Sequence, residues 1–255
     1  MSYALVTGGS SGIGFAYAEV MAAKGYNVLI VSNREDLNLQ CQQLLQDKYP
    51  VQIETLNQDL AVPEAAQQVY DYCHEHDLEV EVLINNAGMF YFKAAVETPV
   101  PLENTMLQLH VTTPTLLCTL FGKDMKEHRK GYILNAASIC GYMSFPTIAT
   151  YESTKRYVRT FSRALNFELS GYGVKVCCVS PGAVDTDLYN LDKKLRKRLC
   201  KWGIMLTPEQ VAKRGVRALF HGRKSIVPGG INYFILFLVA IVPDFIVNIV
   251  KRKYI

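Results

Sequence analysis

Several features that mark other classes of protein are missing from this sequence. Its seven cysteines contain no CxxC spacing, and no Asn-x-Ser/Thr glycosylation motif occurs. An odd, scattered set of cysteines is typical of reduced thiols in a cytosolic protein, so we expect neither disulfides nor a metal site. The N-terminus lacks a basic segment and enters a strand pattern at once, so we expect no signal peptide and a cytoplasmic location.

Charge of one sign and long apolar runs are also scarce. The 27 basic residues nearly balance the 23 acidic ones, and the excess is concentrated between Leu191 and Trp202. Such a weak net charge favours no nucleic-acid partner. The apolar run from Tyr233 to Val242 ends at Pro243-Asp244, whereas a membrane span needs roughly 20 apolar residues. We therefore expect no transmembrane helix.

What is present is an alternation of strand and helix patterns in a chain with 49% hydrophobic residues. Several apolar runs do not alternate with polar residues, as expected for strands covered by helices on both faces. We predict strands at Tyr3–Thr7, Asn27–Val31, Val51–Leu56, Val80–Asn85, Gly131–Ala136, Val174–Val179 and Ser225–Val227. Helices are predicted near residues 12–24, 35–48, 63–76, 101–128, 151–170 and 208–221. This alternation predicts an α/β fold, a Rossmann-type doubly wound parallel sheet of about seven strands in three α/β/α layers.

Two segments lie outside this alternation, although nothing in the sequence marks a second domain. Residues 187–206 contain the basic cluster, and residues 231–255 are strongly apolar. We interpret the first as a substrate lid and the second as a C-terminal extension, both within a single domain that covers residues 1–255. After the lid, Thr207 and Gln210 have the spacing of a helix capping box, with Pro208 at the first helical position.

A glycine-rich loop follows the first predicted strand and opens the first predicted helix. It reads Thr7-Gly8-Gly9-Ser10-Ser11-Gly12-Ile13-Gly14. Glycines allow the backbone to turn sharply and to approach a pyrophosphate, which the free N–H groups at the helix N-terminus then bind. At the first strand–helix junction of an α/β chain, this loop predicts a dinucleotide-binding site.

The end of the second predicted strand indicates which dinucleotide binds. A carboxylate there selects NAD through the ribose 2′-hydroxyl, whereas a cation accommodates the 2′-phosphate of NADP. The strand ends in Ser32-Asn33-Arg34, and no carboxylate occurs before Glu35. We therefore predict NADP(H) in preference to NAD(H). The alternative is that Arg34 is a solvated residue of the next helix, which leaves the preference open.

Polar residues with catalytic chemistry are expected at one edge of the sheet. Tyr151 and Lys155 lie four residues apart at the start of a predicted helix, which places them on one face. A tyrosine with a pKa of about 10 exchanges protons poorly near neutrality, but a nearby ammonium favours the phenolate and lowers that pKa. Ser138 ends the fifth predicted strand, and Asn85-Asn86-Ala87-Gly88 ends the fourth. Both lie at the carboxyl edge, where open α/β sheets bind ligands.

The combination of these motifs resembles the short-chain dehydrogenase/reductase family, in its single-domain branch. The resemblance extends from about Tyr3 to Val227 and consists of Thr-Gly-x-x-x-Gly-x-Gly, Asn-Asn-Ala-Gly, a serine and Tyr-x-x-x-Lys. It implies that Tyr151 is the general acid/base, that Lys155 lowers its pKa and binds the nicotinamide ribose, and that Ser138 donates to the substrate oxygen. Together with the loop and strand arguments above, it assigns cofactor binding to Thr7, Gly8, Ser10, Ser11, Gly12, Ile13, Gly14, Ser32, Asn33, Arg34, Asp59, Leu60, Asn86, Ala87, Gly88, Tyr151, Lys155, Pro181, Gly182, Val184 and Thr186.

One position departs from the family pattern. The family has an asparagine in the helix after Asn-Asn-Ala-Gly, where it fixes a helical irregularity and a water of the proton relay, and His110 occupies that position here. An imidazole also donates, accepts and binds water, so His110 is a candidate catalytic residue with its own pH dependence. The alternative is a buried histidine with satisfied hydrogen bonds and no catalytic part.

The loops expected to flank the substrate are apolar and aromatic. Residues 89–92 follow Asn-Asn-Ala-Gly, and residues 142–146 lie between Ser138 and Tyr151. The apolar side chains of both loops favour a small hydrophobic carbonyl or alcohol as substrate.

The lid has an apolar stripe opposite its basic face, made of Leu188, Leu191, Leu195, Leu199 and Trp202. Its basic face has three alternative interpretations: exposure to solvent, attraction of an anionic acyl carrier, or contact with an anionic membrane surface. The tail at 231–255 suits burial over the substrate mouth, a dimer interface or, with residues 191–202, a peripheral membrane contact.

The sequence therefore predicts an NADP(H)-dependent oxidoreductase that interconverts a secondary alcohol and a ketone by hydride transfer. Its substrate is expected to be lipid-like, of the steroid or 3-oxoacyl type. One alternative is an epimerase or dehydratase that uses bound cofactor, and another is a non-enzymatic dinucleotide-binding regulator or membrane-associated scaffold. The family resemblance also implies a homo-oligomer, a dimer or tetramer assembled through the helices at 101–128 and 151–170.

Overall fold

A computed structural model of the protein describes residues 1–186 and 192–241. Within these residues the chain is organised around one parallel β-sheet. The seven strands in these residues are β1 (Tyr3–Thr7), β2 (Asn27–Ser32), β3 (Ile53–Asn57), β4 (Val80–Asn85), β5 (Gly131–Ala136), β6 (Val174–Val179) and β7 (Ser225–Ile226). They form one sheet in the order β3-β2-β1-β4-β5-β6-β7, and every neighbouring pair is parallel. The predicted doubly wound α/β fold is confirmed.

Helices cover both faces of the sheet, which explains why its strands are apolar without alternation. The helices in the described residues are α1 (Gly12–Ala22), α2 (Glu35–Gln46), α3 (Ala65–Glu75), α4 (Val100–Leu107), α5 (Thr113–Glu127), α6 (Ala149–Leu169), α7 (Lys193–Lys201), α8 (Pro208–Phe220) and α9 (Gly230–Ile241). One core cluster joins the sheet to α1, α2 and α8, with Tyr17 and Met21 fully buried. A second cluster joins it to α3, α5 and α6, around Phe121 and Met125.

The third strand begins later than the sequence predicts. We expected Val51–Leu56, but the strand runs from Ile53 to Asn57. The N–H of Val51 donates to the carbonyl oxygen of Tyr49 at 2.9 Å, so this apolar residue belongs to the tight turn after α2. Pairing with β2 starts where Ile53 lies opposite Val28.

The prediction of a single helix at 101–128 is wrong. The chain forms two helices there, α4 and α5, which are joined by a π-helical turn at Gln108–Thr112. At this turn the N–H of Thr113 donates to the carbonyl oxygen of Gln108, five residues back. Pro114 follows and has no N–H for the carbonyl of His110, so the regular ladder cannot continue there. His110 lies within this irregular turn and is only 2% exposed. Short π-helical insertions of this kind are frequent at functional sites.

The predicted capping box after the lid is confirmed. Thr207 Oγ1 accepts from the N–H of Gln210, and Gln210 Oε1 accepts from the N–H of Thr207. Within the segment predicted to be a lid, Asp192 caps α7 by accepting from two backbone N–H groups. Of the predicted apolar stripe, Leu195 and Trp202 are largely exposed, at 41% and 60%. Residues 187–191, which include the other end of that stripe, lie outside the described residues.

The C-terminal extension begins as α9, and its residues 242–255 lie outside the described residues. Asn232 is buried and donates to the carbonyl oxygen of Pro228, which fixes the start of the helix. Tyr233, Phe234 and Phe237 are each about 60% exposed. None of the helices within the described ranges is both long enough and apolar enough to cross a bilayer.

Candidate active site

A deep cleft opens at the point where the strand order reverses. The chain continues from β1 to β2 on one side and from β4 to β5 on the other, so the loops that leave β1 and β4 diverge. Open α/β sheets bind ligands at such a switch point. The cleft has a volume of about 960 Å³. The predicted site residues that line it are Gly8, Ser11, Gly12, Ile13, Ser32, Asn33, Arg34, Asp59, Leu60, Asn86, Ala87, Gly88, Ser138, Tyr151, Lys155, Pro181, Gly182, Val184 and Thr186.

The glycines of the first loop are required by close backbone contacts. Gly8 has a φ of +63°, and a Cβ there would lie 2.9 Å from the Cα of Ala87. A Cβ on Gly14 would lie 2.0 Å from the carbonyl oxygen of Gly8, a distance that no side chain tolerates. The loop therefore folds tightly on itself and against the end of β4. This packing leaves the N-terminus of α1, at Gly12, open to the cleft.

Thr7 lies beneath this loop rather than on the surface of the cleft. Its hydroxyl oxygen accepts from the backbone N–H groups of Asn86 and Ala87, at 2.9 and 3.1 Å. The Asn86 amide in turn donates to the Thr7 carbonyl oxygen at 3.3 Å. Gly14, Ser10 and His110 also lie outside the lining of the main cleft. Thr7 thus ties the glycine loop to the Asn-Asn-Ala-Gly segment.

A cation and several hydroxyl groups gather at the end of β2. The guanidinium of Arg34 donates to Ser10 Oγ at 3.1 Å and also to Ser11 Oγ. Ser32 is buried, and its hydroxyl bonds Ser10 Oγ and Asn38 Oδ1 at 2.9 and 2.7 Å. Arg34 itself is exposed, at the edge of the cleft. The structure therefore places one exposed arginine beside the glycine loop, at the start of α2.

Ser138, Tyr151 and Lys155, three of the four predicted catalytic residues, meet at the carboxyl ends of β4 and β5. Ser138 follows β5, and its Oγ accepts from the N–H of Cys140 at 3.2 Å. Lys155 Nζ lies 5.6 Å from the centre of the Tyr151 ring and donates to the Ala136 carbonyl oxygen at 3.2 Å. All three are at most 9% exposed. The spacing of four residues on α6 therefore does place the ammonium beside the phenol.

Burial changes the acidity of the lysine. It lowers the pKa of Lys155 to about 8, because the charged ammonium loses its water. At neutral pH the side chain still carries a proton. A desolvated ammonium interacts more strongly with a nearby phenolate than one in water does.

A buried polar network holds α6 at this edge of the sheet. Asn85 at the end of β4 donates to Asn135 Oδ1 at 2.9 Å, and Asn135 donates to Ser162 Oγ on α6 at 2.9 Å. Ser162 is fully buried and donates to the Val158 carbonyl oxygen. Hydrogen bonds between buried side chains of different elements fix the relative position of those elements. This network joins β4, β5 and the helix that carries Tyr151.

His110 is buried next to Tyr151 and Lys155. Its Nε2 is 2.9 Å from the backbone nitrogen of Met89, and its Nδ1 is 3.1 Å from Thr154 Oγ1. Burial, and then the Lys155 ammonium, hold the pKa of His110 well below its usual value. The ring borders a small cavity of about 20 Å³ that Lys155 also lines.

Apolar side chains surround Tyr151 on the side of the two loops. Phe90 packs edge-to-face on the Tyr151 ring with centroids 4.7 Å apart. Met89 and Phe145 pack in the same cluster, and Met89 also lines the cleft. Tyr142 instead stacks under the guanidinium of Arg159, 3.8 Å from its ring centre. The two predicted loops thus meet at Tyr151.

Sequence reasoning missed an ion pair at the mouth of the cleft. Arg196 Nε lies 3.2 Å from Asp185 Oδ1, and both residues line the cleft. Only 13% of the Arg196 side chain is exposed, whereas Lys194, Lys197, Arg198 and Lys201 are exposed residues. The run of six basic residues contains no signal that separates Arg196 from the others, because its burial depends on the path of the chain after β6.

No cluster of histidine, cysteine and carboxylate groups suited to a metal ion occurs within residues 1–186 and 192–241. All seven cysteines are free thiols, and five of them are buried. Burial raises the pKa of the Cys118 thiol to about 12, which makes it unreactive.

The chain is similar to members of one protein family in both sequence and fold. The family model described as short chain dehydrogenase matches residues 2–196. A very-long-chain 3-oxoacyl-CoA reductase of Mus musculus is 31% identical over 239 residues, which cover 89% of this chain and 75% of that protein.

Solved structures agree with this match. A short-chain dehydrogenase from Sphingobium yanoikuyae in complex with NADPH has a TM-score of 0.81 at 26% identity, and the match covers 89% of this chain and 88% of that one. A 7β-hydroxysteroid dehydrogenase has a TM-score of 0.85 at 24% identity, covering 92% and 90% of the two chains. At that identity the second likeness shows the fold alone.

Proposed function

The chain belongs to the short-chain dehydrogenase/reductase family, and we propose that it is an NADP(H)-dependent oxidoreductase that interconverts a secondary alcohol and a ketone on a hydrophobic, lipid-like substrate. The observation that carries the proposal is the meeting of Ser138, Tyr151 and Lys155 with the glycine loop in one cleft. The two motifs are more than 120 residues apart in the sequence, so the fold and not their proximity in the chain brings them together.

The first part of the proposal is that the cleft holds a dinucleotide. A Cβ at Gly14 would collide with Gly8, so the loop keeps its backbone bare beside the N-terminus of α1. Bare backbone at a helix N-terminus suits a pyrophosphate. Asp59 and Thr186, which also line the cleft, would hold the adenine and the carboxamide. The bound cofactor supplies or accepts the hydride.

The preference for NADP(H) rests on Arg34. Its guanidinium is held over the glycine loop by Ser10 and Ser11, so it is already ordered where a ribose phosphate would lie. Charge-assisted hydrogen bonds from arginine to phosphate are among the stronger protein–ligand contacts. Glu35 and Asp36, the first carboxylates after β2, are exposed residues of α2. The relative from Sphingobium yanoikuyae, whose structure contains NADPH, supports the same choice.

The second part of the proposal assigns the proton transfer to Tyr151. In the reducing direction its hydroxyl donates a proton to the carbonyl oxygen, and in the oxidising direction the phenolate accepts one. The Lys155 ammonium, 5.6 Å from the ring centre, stabilises the phenolate. Ser138, whose Oγ is held at the end of β5 by Cys140, donates to the same substrate oxygen and stabilises the charge that develops on it.

The substrate class is proposed from the side chains around Tyr151. Met89, Phe90 and Phe145 form an apolar wall next to the phenol, which suits a substrate whose carbonyl is attached to a large hydrocarbon body. The Mus musculus relative is named a very-long-chain 3-oxoacyl-CoA reductase, and that name denotes such a substrate. We therefore propose a 3-oxoacyl thioester as the first substrate to test and a steroid ketone as the second.

The direct test is oxidation of NADPH by the purified protein in the presence of ketones. A medium-chain 3-oxoacyl-coenzyme A and a steroid 3-ketone serve as probes, with acetone as the small polar control. We expect ketone-dependent consumption with the large probes, and a lower KM for NADPH than for NADH. Binding of NADPH without turnover of any ketone would refute the enzymatic proposal.

A further inference from the structure

His110 lies where the substrate-side loop meets the catalytic helix. One ring nitrogen faces the backbone of Met89, which follows the Asn-Asn-Ala-Gly segment and lines the cleft. The other ring nitrogen faces Thr154, which lies between Tyr151 and Lys155 on α6. The ring therefore bridges the two segments that shape the site.

The hydrogen bonds of the ring select one tautomer. A backbone N–H only donates, so Nε2 accepts from Met89 at 2.9 Å and carries no proton. The Thr154 hydroxyl donates to the Tyr151 carbonyl oxygen at 2.7 Å, so its oxygen accepts from Nδ1–H at 3.1 Å. Every donor in this chain of bonds faces an acceptor when the imidazole is neutral and protonated at Nδ1.

The surroundings keep the ring in this state. Tyr151, with ring centroids 5.7 Å apart, and the Lys155 ammonium are the titratable groups on α6 that act on it. The Lys155 ammonium and the burial of the ring both oppose a second proton. A proton on Nε2 would also turn two donors, the ring N–H and the Met89 N–H, towards each other. Both nitrogens are thus committed to structural bonds.

We propose that His110 is a positioning residue that holds Met89 and the first turn of α6 in register as a neutral imidazole protonated at Nδ1. It accepts no proton during turnover. This inference rests on the proposed role of Tyr151, because the chain of bonds ends on the backbone of that residue. It differs from a proton relay, in which the ring would change its protonation during turnover.

Spectroscopy tests the tautomer without any measurement of activity. In wild-type protein labelled with ¹⁵N-histidine, we expect one signal pair with Nδ1 protonated and Nε2 bare, constant from about pH 5.5 to about pH 8.5. This pair should be absent from the spectrum of His110→Gln, which assigns it. The exposed histidines, which supply the reference signals, are His74, His76, His128 and His221. A proton on Nε2, or titration of His110 within that range, overturns the proposal.

Two substitutions separate the hydrogen bonds from the volume of the ring. His110→Gln retains one acceptor and one donor in an amide, whereas His110→Phe retains the ring and loses both bonds. With NADPH and a medium-chain 3-oxoacyl-coenzyme A, we expect kcat/KM to fall about 10-fold or more in the Phe variant and about threefold or less in the Gln variant. The Gln variant should keep the wild-type pH profile, since no proton passes through this residue.

The outcomes are distinguishable. Equal activity of the two variants, or a pH profile that shifts in the Gln variant, overturns the positioning role. If circular dichroism shows that the Phe variant does not fold, the tautomer in the wild-type spectrum and the pH profile of the Gln variant still test the proposal. If the wild-type protein reduces neither ketone but shows the proton on Nδ1, the bridging role of His110 is supported and the proposed enzymatic function is refuted.

Discussion

Replacing Lys155 with methionine should stabilise the protein without cofactor, by an amount that depends on pH. Burial lowers the pKa of the ammonium from 10.5 to about 8, and one pKa unit corresponds to about 1.4 kcal/mol, so the charged form costs about 3 kcal/mol near neutrality. Methionine has a similar length and no charge. The substitution also leaves the Ala136 carbonyl without its hydrogen-bond donor, which reduces the gain in stability by about 1 kcal/mol at every pH.

The sign of the pH dependence follows from proton counts. Between pH 8 and pH 10.5 the folded wild type binds fewer protons at Lys155 than the unfolded chain, so its free energy of unfolding rises with pH in that range. The methionine variant lacks this titration. Its advantage over the wild type should therefore shrink by about 2 kcal/mol between about pH 7 and about pH 10.

Urea unfolding followed by circular dichroism, at both pH values, measures this difference. Lys175→Met is the matched control, because Lys175 also donates to a backbone carbonyl, that of Phe220, but from a less buried position. Because this ammonium is less buried, the control should not raise the unfolding free energy at neutral pH. The reasoning is refuted if the difference between Lys155→Met and wild type is the same at neutral and alkaline pH.

Three further predictions concern the cofactor and the chemistry. Tyr151→Phe should lower kcat by about 100-fold or more while the Kd of NADPH, measured by fluorescence titration, stays within about twofold; an unchanged kcat would remove the tyrosine from its role. Arg34→Ala should raise the Kd of NADPH about 10- to 100-fold and leave that of NADH unchanged, whereas equal effects on both would argue against a 2′-phosphate contact. Gly14→Ala should lower the unfolding free energy by about 2 kcal/mol or more, because its Cβ would lie 2.0 Å from the Gly8 carbonyl oxygen. The control Gly171→Ala, whose Cβ meets nothing within 4 Å, should be nearly neutral, and equal losses in both would contradict the packing argument.

The strands and most helices were predictable because their signals are local. Buried parallel strands are continuous apolar runs, and caps such as Thr207 and Gln210 need only residues three apart. The error at 101–128 has a different origin. The pattern is helical throughout, and the insertion at Gln108–Thr112 depends on Pro114 and on partners of His110 that lie on other elements.

By itself, the sequence determined the order of the elements, the glycine loop and the spacing of Tyr151 and Lys155 on one helix face, because each depends on residues that are neighbours in the chain. The tertiary structure alone decided the acidity of Lys155 and the partners of His110. Both follow from desolvation and from groups far away in sequence, such as Ala136 and Met89. Burial and directional hydrogen bonding are properties of the packed interior, so no local pattern of residues encodes them.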